Sequence, residues 1–241
     1  MISRLLRRFL TSRPPPPEPP PRAIIGAIGE PFTSVLGSMY DGEPQLGADG
    51  QMHEIDPLTR IQPRQGLWLY QLIPEEKPDE TFEIGLAYGF STVYILAALH
   101  ANGKGRHTSL DPFQDGVWHG IGATRDRVTG VRPGTFEFSR ETSVQGLARL
   151  ARERRQFGVI FIDGNHLFDA ALVDFFLAAP LCQIGGHIVL DDLWMPSIDR
   201  LASFVRRNRA DFVEVPTPIG NIAVFRRTAE DKRDWKHFVP F

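Results

Sequence analysis

The chain has 241 residues, 42% hydrophobic and 23% charged, with a formal net charge of −2. This is the balance of an ordinary globular chain with one sizeable core, and it leaves no electrostatic case for nucleic acid as a partner. The single cysteine, Cys182, excludes an intrachain disulfide framework and a cysteine-built metal site, and the chain is read as cytoplasmic.

Residues 1–22 stand apart from the rest. Ile2, Leu5, Leu6, Phe9 and Leu10 fall on one helical face with Arg4, Arg7 and Arg8 among them, and Pro14 to Pro21 form a proline tract interrupted by Glu18. The tract predicts a stiff polyproline II spacer outside the fold. The first ten residues fit either a solvated, frayed terminus or a short basic helix in weak contact with a membrane surface, which would make the protein peripheral there. They lack the apolar region of a signal peptide, and no run of about 18 apolar residues occurs, so neither export nor a spanning helix is expected. Residues 23–241 are expected to form one domain. Within it, residues 23–60, with frequent Gly and Pro, are read as an irregular lead-in and lid. A helix is predicted from Pro63, with Leu67, Tyr70, Leu72 and Ile73 on its apolar face, stopped by Pro74 and Pro78.

The most informative stretch is Phe82-Glu83-Ile84-Gly85-Leu86-Ala87-Tyr88-Gly89-Phe90-Ser91-Thr92. It predicts a strand over Thr81–Ile84, a glycine turn, and a helix whose apolar face carries Val93, Leu96 and Ala97, with Ser91 or Thr92 as its cap. Glycines beneath a helix N-terminus make a socket in which backbone N–H groups face a polar or anionic ligand. Glu83, on the strand just before the turn, can accept from an amine or a hydroxyl. The spacing E-x-G-x-x-x-G is not the G-x-G-x-x-G of a dinucleotide site, so a cofactor without a pyrophosphate suits it better. A second strand, Arg106–Leu110, ends in Asp111-Pro112-Phe113. Asp111 stands about twenty residues past the glycine turn, where a carboxylate takes both hydroxyls of a ribose; a plain turn Asp before Pro is the alternative.

Val117 to Val131 reads as a loosely helical connection, Thr135–Phe138 as a third strand, and Ser143–Arg152 as a helix with Val144, Leu147, Leu150 and Ala151 inward. Ser143 lies near where a base would rest and also suits the helix N-cap. The unbroken apolar run Phe157–Ile162 predicts a central parallel strand, ending in Asp163, Asn165 and His166. Leu167–Leu181 is its covering helix. Gly185-Gly186 closes that connection, and the next strand, His187–Leu190, ends in Asp191-Asp192. Open α/β sheets place their sites at the carboxyl ends of central strands. If the two strands are neighbours, Asp163, Asp191 and Asp192 meet on one rim and suit a hard divalent cation such as Mg²⁺. The alternative is that Asp191 or Asp192 caps the following turn. His166 is read either as a proton acceptor beside the metal or as a hydrogen-bond partner of the loop or cofactor. A basic amphipathic helix over Ser197–Arg207 and an edge hairpin of Phe212–Val215 and Asn221–Phe225 follow. The tail, with Trp235, Phe238 and Phe241, either packs back or joins a partner chain in a homo-oligomer.

With these residues assembled, the chain from about Ile61 to Arg227 resembles the class I S-adenosylmethionine-dependent methyltransferases. It is most similar to the metal-dependent O-methyltransferases of the catechol and caffeoyl-CoA type. It also resembles the methyltransferase 24 group, macrocin-type sugar O-methyltransferases and cephalosporin-hydroxylase-like proteins. The resemblance implies a Rossmann-like α/β fold, a seven-stranded and mostly parallel sheet between helices, with the C-terminal hairpin supplying an antiparallel strand. It implies that Glu83, Gly85, Tyr88, Gly89 and Ser91 hold the methionine end of S-adenosylmethionine. Asp111, with Pro112 and Phe113 beside it, would take the ribose, and Ser143 would lie near the adenine. Asp163, Asp191 and Asp192 would hold the metal, with Asp163 also at the cofactor and His166 as catalytic base. The chain departs from the catechol type at Asp192, where those enzymes have Asn, and at His166, where they have a Lys base. Sugar-modifying relatives can carry a second Asp where this chain has Asn165. The implied activity is O-methylation of a hydroxylated small molecule: a sugar, a phenolic or a natural product. Other metal-dependent chemistry of the cephalosporin-hydroxylase kind, or cofactor binding without catalysis, are the alternatives on the same scaffold.

Overall fold

The structure is a computed structural model and describes residues 21–56 and 58–241. The expected irregular lead-in is instead ordered into two helices, α1 (Pro21–Ile25) and α2 (Phe32–Tyr40), and an antiparallel ribbon of β1 (Gln45–Leu46) and β2 (Met52–His53). Phe32, Leu36, Met39 and Tyr40 recur at helical spacing and are buried, and this stripe outweighs Gly37 within the helix. Pro21 and Arg22 belong to α1, and Arg22 Nε donates to Asp41 Oδ2 at 2.8 Å, so the expected spacer does not extend through residue 22. The basic apolar stretch of residues 1–10 and the rest of the proline tract lie outside the described residues. Helix α3 (Pro63–Glu76) starts at Pro63 as expected but runs through Pro74, which sits in its last turn. Lys77 then closes it from the left-handed region, its N–H donating to Ile73 O at 2.8 Å.

From Glu80 strands and helices alternate, as the apolar runs require. They are β3 (Glu80–Ile84), α4 (Phe90–Asn102), β4 (Arg106–Leu110), a 3₁₀ turn leading into α5 (Arg125–Thr129), β5 (Phe136–Ser139), α6 (Ser143–Arg152), β6 (Phe157–Ile162), α7 (Phe168–Ala178), β7 (Cys182–Leu190), α8 (Pro196–Asn208), β8 (Phe212–Glu214) and β9 (Ala223–Arg227). One sheet takes the order β5-β4-β3-β6-β7-β9-β8. Strands β3 to β7 pair in parallel, and β9 inserts antiparallel between β7 and β8. The expected α/β fold, with its antiparallel strand from the C-terminal hairpin, is thus present. Strand β7 begins at Cys182 rather than His187 and runs through Gly185 and Gly186, where its pairing with β6 shifts register. The two glycines therefore mark a bulge within a strand, not the end of a connection.

Helices cover both faces of the sheet. One core joins α1 to α4 to Val159, Phe161 and Val189; the other joins α6, α7 and α8 to Phe82, Phe157, Ile160 and Ile188. Strand β6 is buried along its whole length, as a central parallel strand should be. From β3 the chain winds outward through β4 and β5, then returns to β6 on the other side. The strand order reverses between β3 and β6, and that switch point sets where a ligand crevice opens. The tail packs back through Phe241, whose ring lies against Phe168 and Phe204, and through Asn208, which exchanges two hydrogen bonds with Val239. Trp235 and Phe238 stay exposed. Among the described residues no helix is long and apolar enough to cross a membrane.

Candidate functional site

Strand β3 turns under α4 through Gly85 (φ +92°) and Gly89 (φ +80°), both in the left-handed region. The two glycines answer to different neighbours. A Cβ on Gly85 would lie 2.0 Å from the Asp163 carbonyl oxygen, and one on Gly89 would lie 2.6 Å from Arg125 Cγ. Gly85 therefore lets the end of β3 pass the end of β6, where Asp163 N–H donates to Ile84 O at 2.9 Å. Gly89 itself is the N-cap of α4, in place of the expected Ser91 or Thr92. Those hydroxyls point down to Glu83: Ser91 Oγ donates to Oε2 at 2.9 Å, and Thr92 Oγ1 donates to Oε1. Ser109 Oγ donates to the same Oε1 at 2.5 Å, and His107 Nε2 lies 3.2 Å from it. Glu83 is fully buried and outside the cavity wall, and its carboxylate supports the turn from beneath.

Asp111 ties the same turn to β4. Its Oδ2 accepts from Ala87 N–H at 2.8 Å and from Gln114 Nε2 at 3.0 Å, and its Oδ1 accepts from Phe113 N–H at 2.8 Å. Ser143 is the first residue of α6, not its cap; Thr142 caps the helix in a reciprocal box with Gln145. A cavity of about 560 Å³ opens at the switch point. Gly85, Tyr88, Gly89 and Ser91 line one side, and Asp163, His166, Asp191 and Asp192 also enter its wall. The structure thus brings these expected residues together and leaves Glu83, Asp111, Pro112, Phe113 and Ser143 outside the lining.

At the acidic rim, His166 Nε2 lies 3.4 Å from Asp163 Oδ1 and 3.1 Å from Asp192 Oδ2. Asp163, His166 and Asp192 offer ligand atoms within 4.8 Å of one another. Asp191 is not in that set. It is buried, and its Oδ1 accepts from Gln65 Nε2, from Asp192 N–H at 2.6 Å and from Asn221 Nδ2 at 3.3 Å. Two carboxylates and an imidazole thus stand together in this arrangement, with the third carboxylate behind them. Trp194 Nε1 orients Asp192 by donating to Oδ1 at 2.8 Å.

Residues 82–193 match the family described as a methyltransferase domain. The fold of the chain is that of the S-adenosylhomocysteine-bound methyltransferase PaMTH1 from Podospora anserina, at 14% identity and a TM-score of 0.64 over 91% of this chain and 100% of that one. The O-methyltransferase TomG from Streptomyces achromogenes, solved with S-adenosylmethionine, aligns at 17% identity and a TM-score of 0.59, covering 95% of this chain and 96% of that one. An O-methyltransferase from Bacillus cereus in complex with S-adenosylhomocysteine aligns at 16% and 0.57, covering 94% and 97%. No curated protein matches the sequence. The resemblance to class I S-adenosylmethionine-dependent methyltransferases is borne out in the fold and in the family match over residues 82–193.

Within the site the acidic groups diverge in character. Burial pushes the Asp163 carboxyl up to about 6, with the Asp192 charge adding to the rise and His166 opposing it. Burial raises Asp191 well above the ordinary carboxylate range, and Asp163 reinforces the shift. Asp192 is held low, chiefly by His166. His166 in turn is raised to about 10 by its bonds to Asp163 and then Asp192. With no cation at the rim, the two carboxylates favour the protonated imidazole, and His166 stands there as their counter-ion. Gln65 and Asn221, which hold Asp191, escaped the sequence reading because they come from segments remote from β7. A glutamine on the buried face of α3 was the one available signal.

Proposed function

We propose that the chain is an S-adenosylmethionine-dependent O-methyltransferase for a hydroxylated small molecule, assisted by a divalent cation at the acidic rim. One observation carries this reading: the glycine turn at the N-terminus of α4 and the Asp163–His166–Asp192 cluster share one cavity wall. The donor set fits both groups. The first turn of α4 presents backbone N–H groups, and Ser91 enters the wall. At the rim, burial and mutual repulsion raise Asp163 and Asp191, so negative charge there exceeds what His166 neutralises, and a cation would relieve it.

When bound, the cofactor supplies a methyl group on a cationic sulfur. A cation supplies the Lewis-acid charge that lowers the pKa of an acceptor hydroxyl. Asp163 and Asp192 would hold that cation. An all-oxygen set completed by Asp191 suits Mg²⁺, and a set that includes His166 also suits Mn²⁺. Gln65 and Asn221 keep Asp191 oriented, Trp194 keeps Asp192 oriented, and Gly85 sets the separation of the turn from the rim. The main contribution of the residues is positioning, which alone is worth several powers of ten in rate. The acceptor we place in this cavity is a phenolic, sugar or natural-product hydroxyl.

The test uses the purified full-length chain, methyl-labelled S-adenosylmethionine and a panel of catechols, glycosides and polyketide phenols, with Mg²⁺ or Mn²⁺ and with EDTA. Label transfer to oxygen that EDTA abolishes is the expected result. Transfer insensitive to EDTA would remove the cation and keep the transferase. A chain that binds neither S-adenosylmethionine nor S-adenosylhomocysteine in calorimetry would overturn the reading.

A further inference from the structure

Arg60 lines the same cavity and has no part in the arrangement described so far. Among the described residues, no carboxylate lies within 4.0 Å of its guanidinium. Its hold on the protein is through Tyr40: Nη1 donates to Tyr40 O at 3.4 Å, and the guanidinium lies 5.8 Å from the centre of the Tyr40 ring. Tyr40 is itself fixed. Its hydroxyl donates to Ile61 O at 3.0 Å and accepts from Tyr94 at 3.1 Å, and its ring packs on Phe90 at 4.9 Å. Phe90 is the first residue of α4, so Arg60 is tethered beside the helix end whose first backbone bond is Val93 N–H to Gly89 O.

The charges of the cavity are therefore unevenly matched. Asp163 and Asp192 have His166 between them. Arg60 is a cation with a planar fork of donors and, among the described residues, no acid to meet them. The positive end of α4 acts in the same sense and adds to the attraction for an anion. A fork of this kind matches the two oxygens of a carboxylate.

Resting on the transferase reading, we propose that Arg60 is the carboxylate anchor of this cavity. The carboxylate comes either from the amino-acid end of the cofactor or from an acidic substituent on the acceptor. Both sources present the same group to the same fork, and a paired set of ligands separates them.

The experiment is calorimetry on the full-length wild-type chain and on Arg60→Gln, with S-adenosylhomocysteine and with methylthioadenosine, which lacks the amino-acid end. A second pair, protocatechuate and catechol, is titrated into the chain loaded with S-adenosylhomocysteine. If the cofactor carboxylate is the partner, Arg60→Gln weakens S-adenosylhomocysteine roughly tenfold to a hundredfold and leaves methylthioadenosine unchanged. If the acceptor carboxylate is the partner, the loss appears with protocatechuate and not with catechol. Arg60→Lys should recover part of either loss, because it keeps the charge without the fork. Equal weakening of S-adenosylhomocysteine and methylthioadenosine, or no change in any of the four ligands, overturns the assignment. A wild-type chain that binds no nucleoside overturns the transferase reading itself, which is a distinct result.

Discussion

Glu83 and Asp191 sit in the same layer of the molecule, at the carboxyl ends of central strands, and both are withdrawn from solvent. Their electrostatics are opposite. Burial pushes Glu83 up, yet His107, Ser109 and Thr92 hold it below its ordinary value. Asp191 receives amide and backbone donors but faces Asp163 and Asp192, and it is raised. Burial alone therefore does not decide the state of an acid; the donors and charges around it do. The turn over β3 is closed by its own residues and serves as a support. The rim over β6 and β7 retains negative charge, and that surplus is what a cation or an ammonium group would meet.

The largest expected effect breaks both regions together. Gly85→Val places a side chain against the Asp163 carbonyl at a backbone angle that favours glycine, and should cost roughly 3 kcal/mol or more. Soluble yield and urea denaturation measure it, and loss of S-adenosylhomocysteine binding should accompany the loss of fold. A variant that folds normally and only fails to bind would mean that Gly85 serves the ligand alone.

The next pair sharpens the contrast by sign. Glu83→Gln removes a charge from a buried, fully donated site and should destabilise by about 3 kcal/mol. Asp191→Asn relieves repulsion and should leave the metal-free chain as stable as wild type or more stable by about 1 kcal/mol. Urea unfolding at neutral pH in EDTA compares them, and equal losses in both variants would erase the distinction drawn here.

The smallest effect is in pH. The folded pKa of His166 is raised from 6.5 to about 10, so its contribution to stability is fully present below about 6.5 and is lost as pH rises through about 10. Asp163 is raised instead from 3.8 to about 6, so ionising it weakens the fold as pH climbs across that interval. The melting temperature of EDTA-treated protein should decline between pH 7 and 10, and His166→Gln should flatten that decline. A wild-type curve matching the variant's would show that His166 is not the counter-ion.

Much of this was legible in the sequence, for reasons that individual residues make plain. The apolar run Phe157–Ile162 fitted a central strand, and once β6 and β7 are neighbours the acids that follow them come to one rim. Glu83, next to a glycine turn, invites a ligand when only the sequence is considered. Yet Glu83 lies in the buried part of a strand covered by helices on both faces, and Ser91 and Thr92 in the first turn of α4 were the donors at hand. The α2 stripe was hidden by the Gly and Pro around it. Asp191 could not be assigned from its neighbours in sequence, since Gln65 lies 126 residues before it. Arg60, on a loop without periodicity, carried no pattern at all.

The placement of β9 has a bearing on how the chain is made. Asn221 stands just before β9, accepts from Leu193 N–H at 2.9 Å through its backbone, and reaches both Asp191 and Asp192 through its amide. β9 is later in the chain than β8 but lies inside it in the sheet. While the ribosome is still adding residues, β7 must therefore keep an unpaired edge, and β8 has nothing to pair with. Such an edge is exposed to wrong partners until the last strand arrives. The acidic rim receives its Asn221 support in the same event that seals the sheet, so a chain stalled before residue 221 would be both sticky and chemically incomplete.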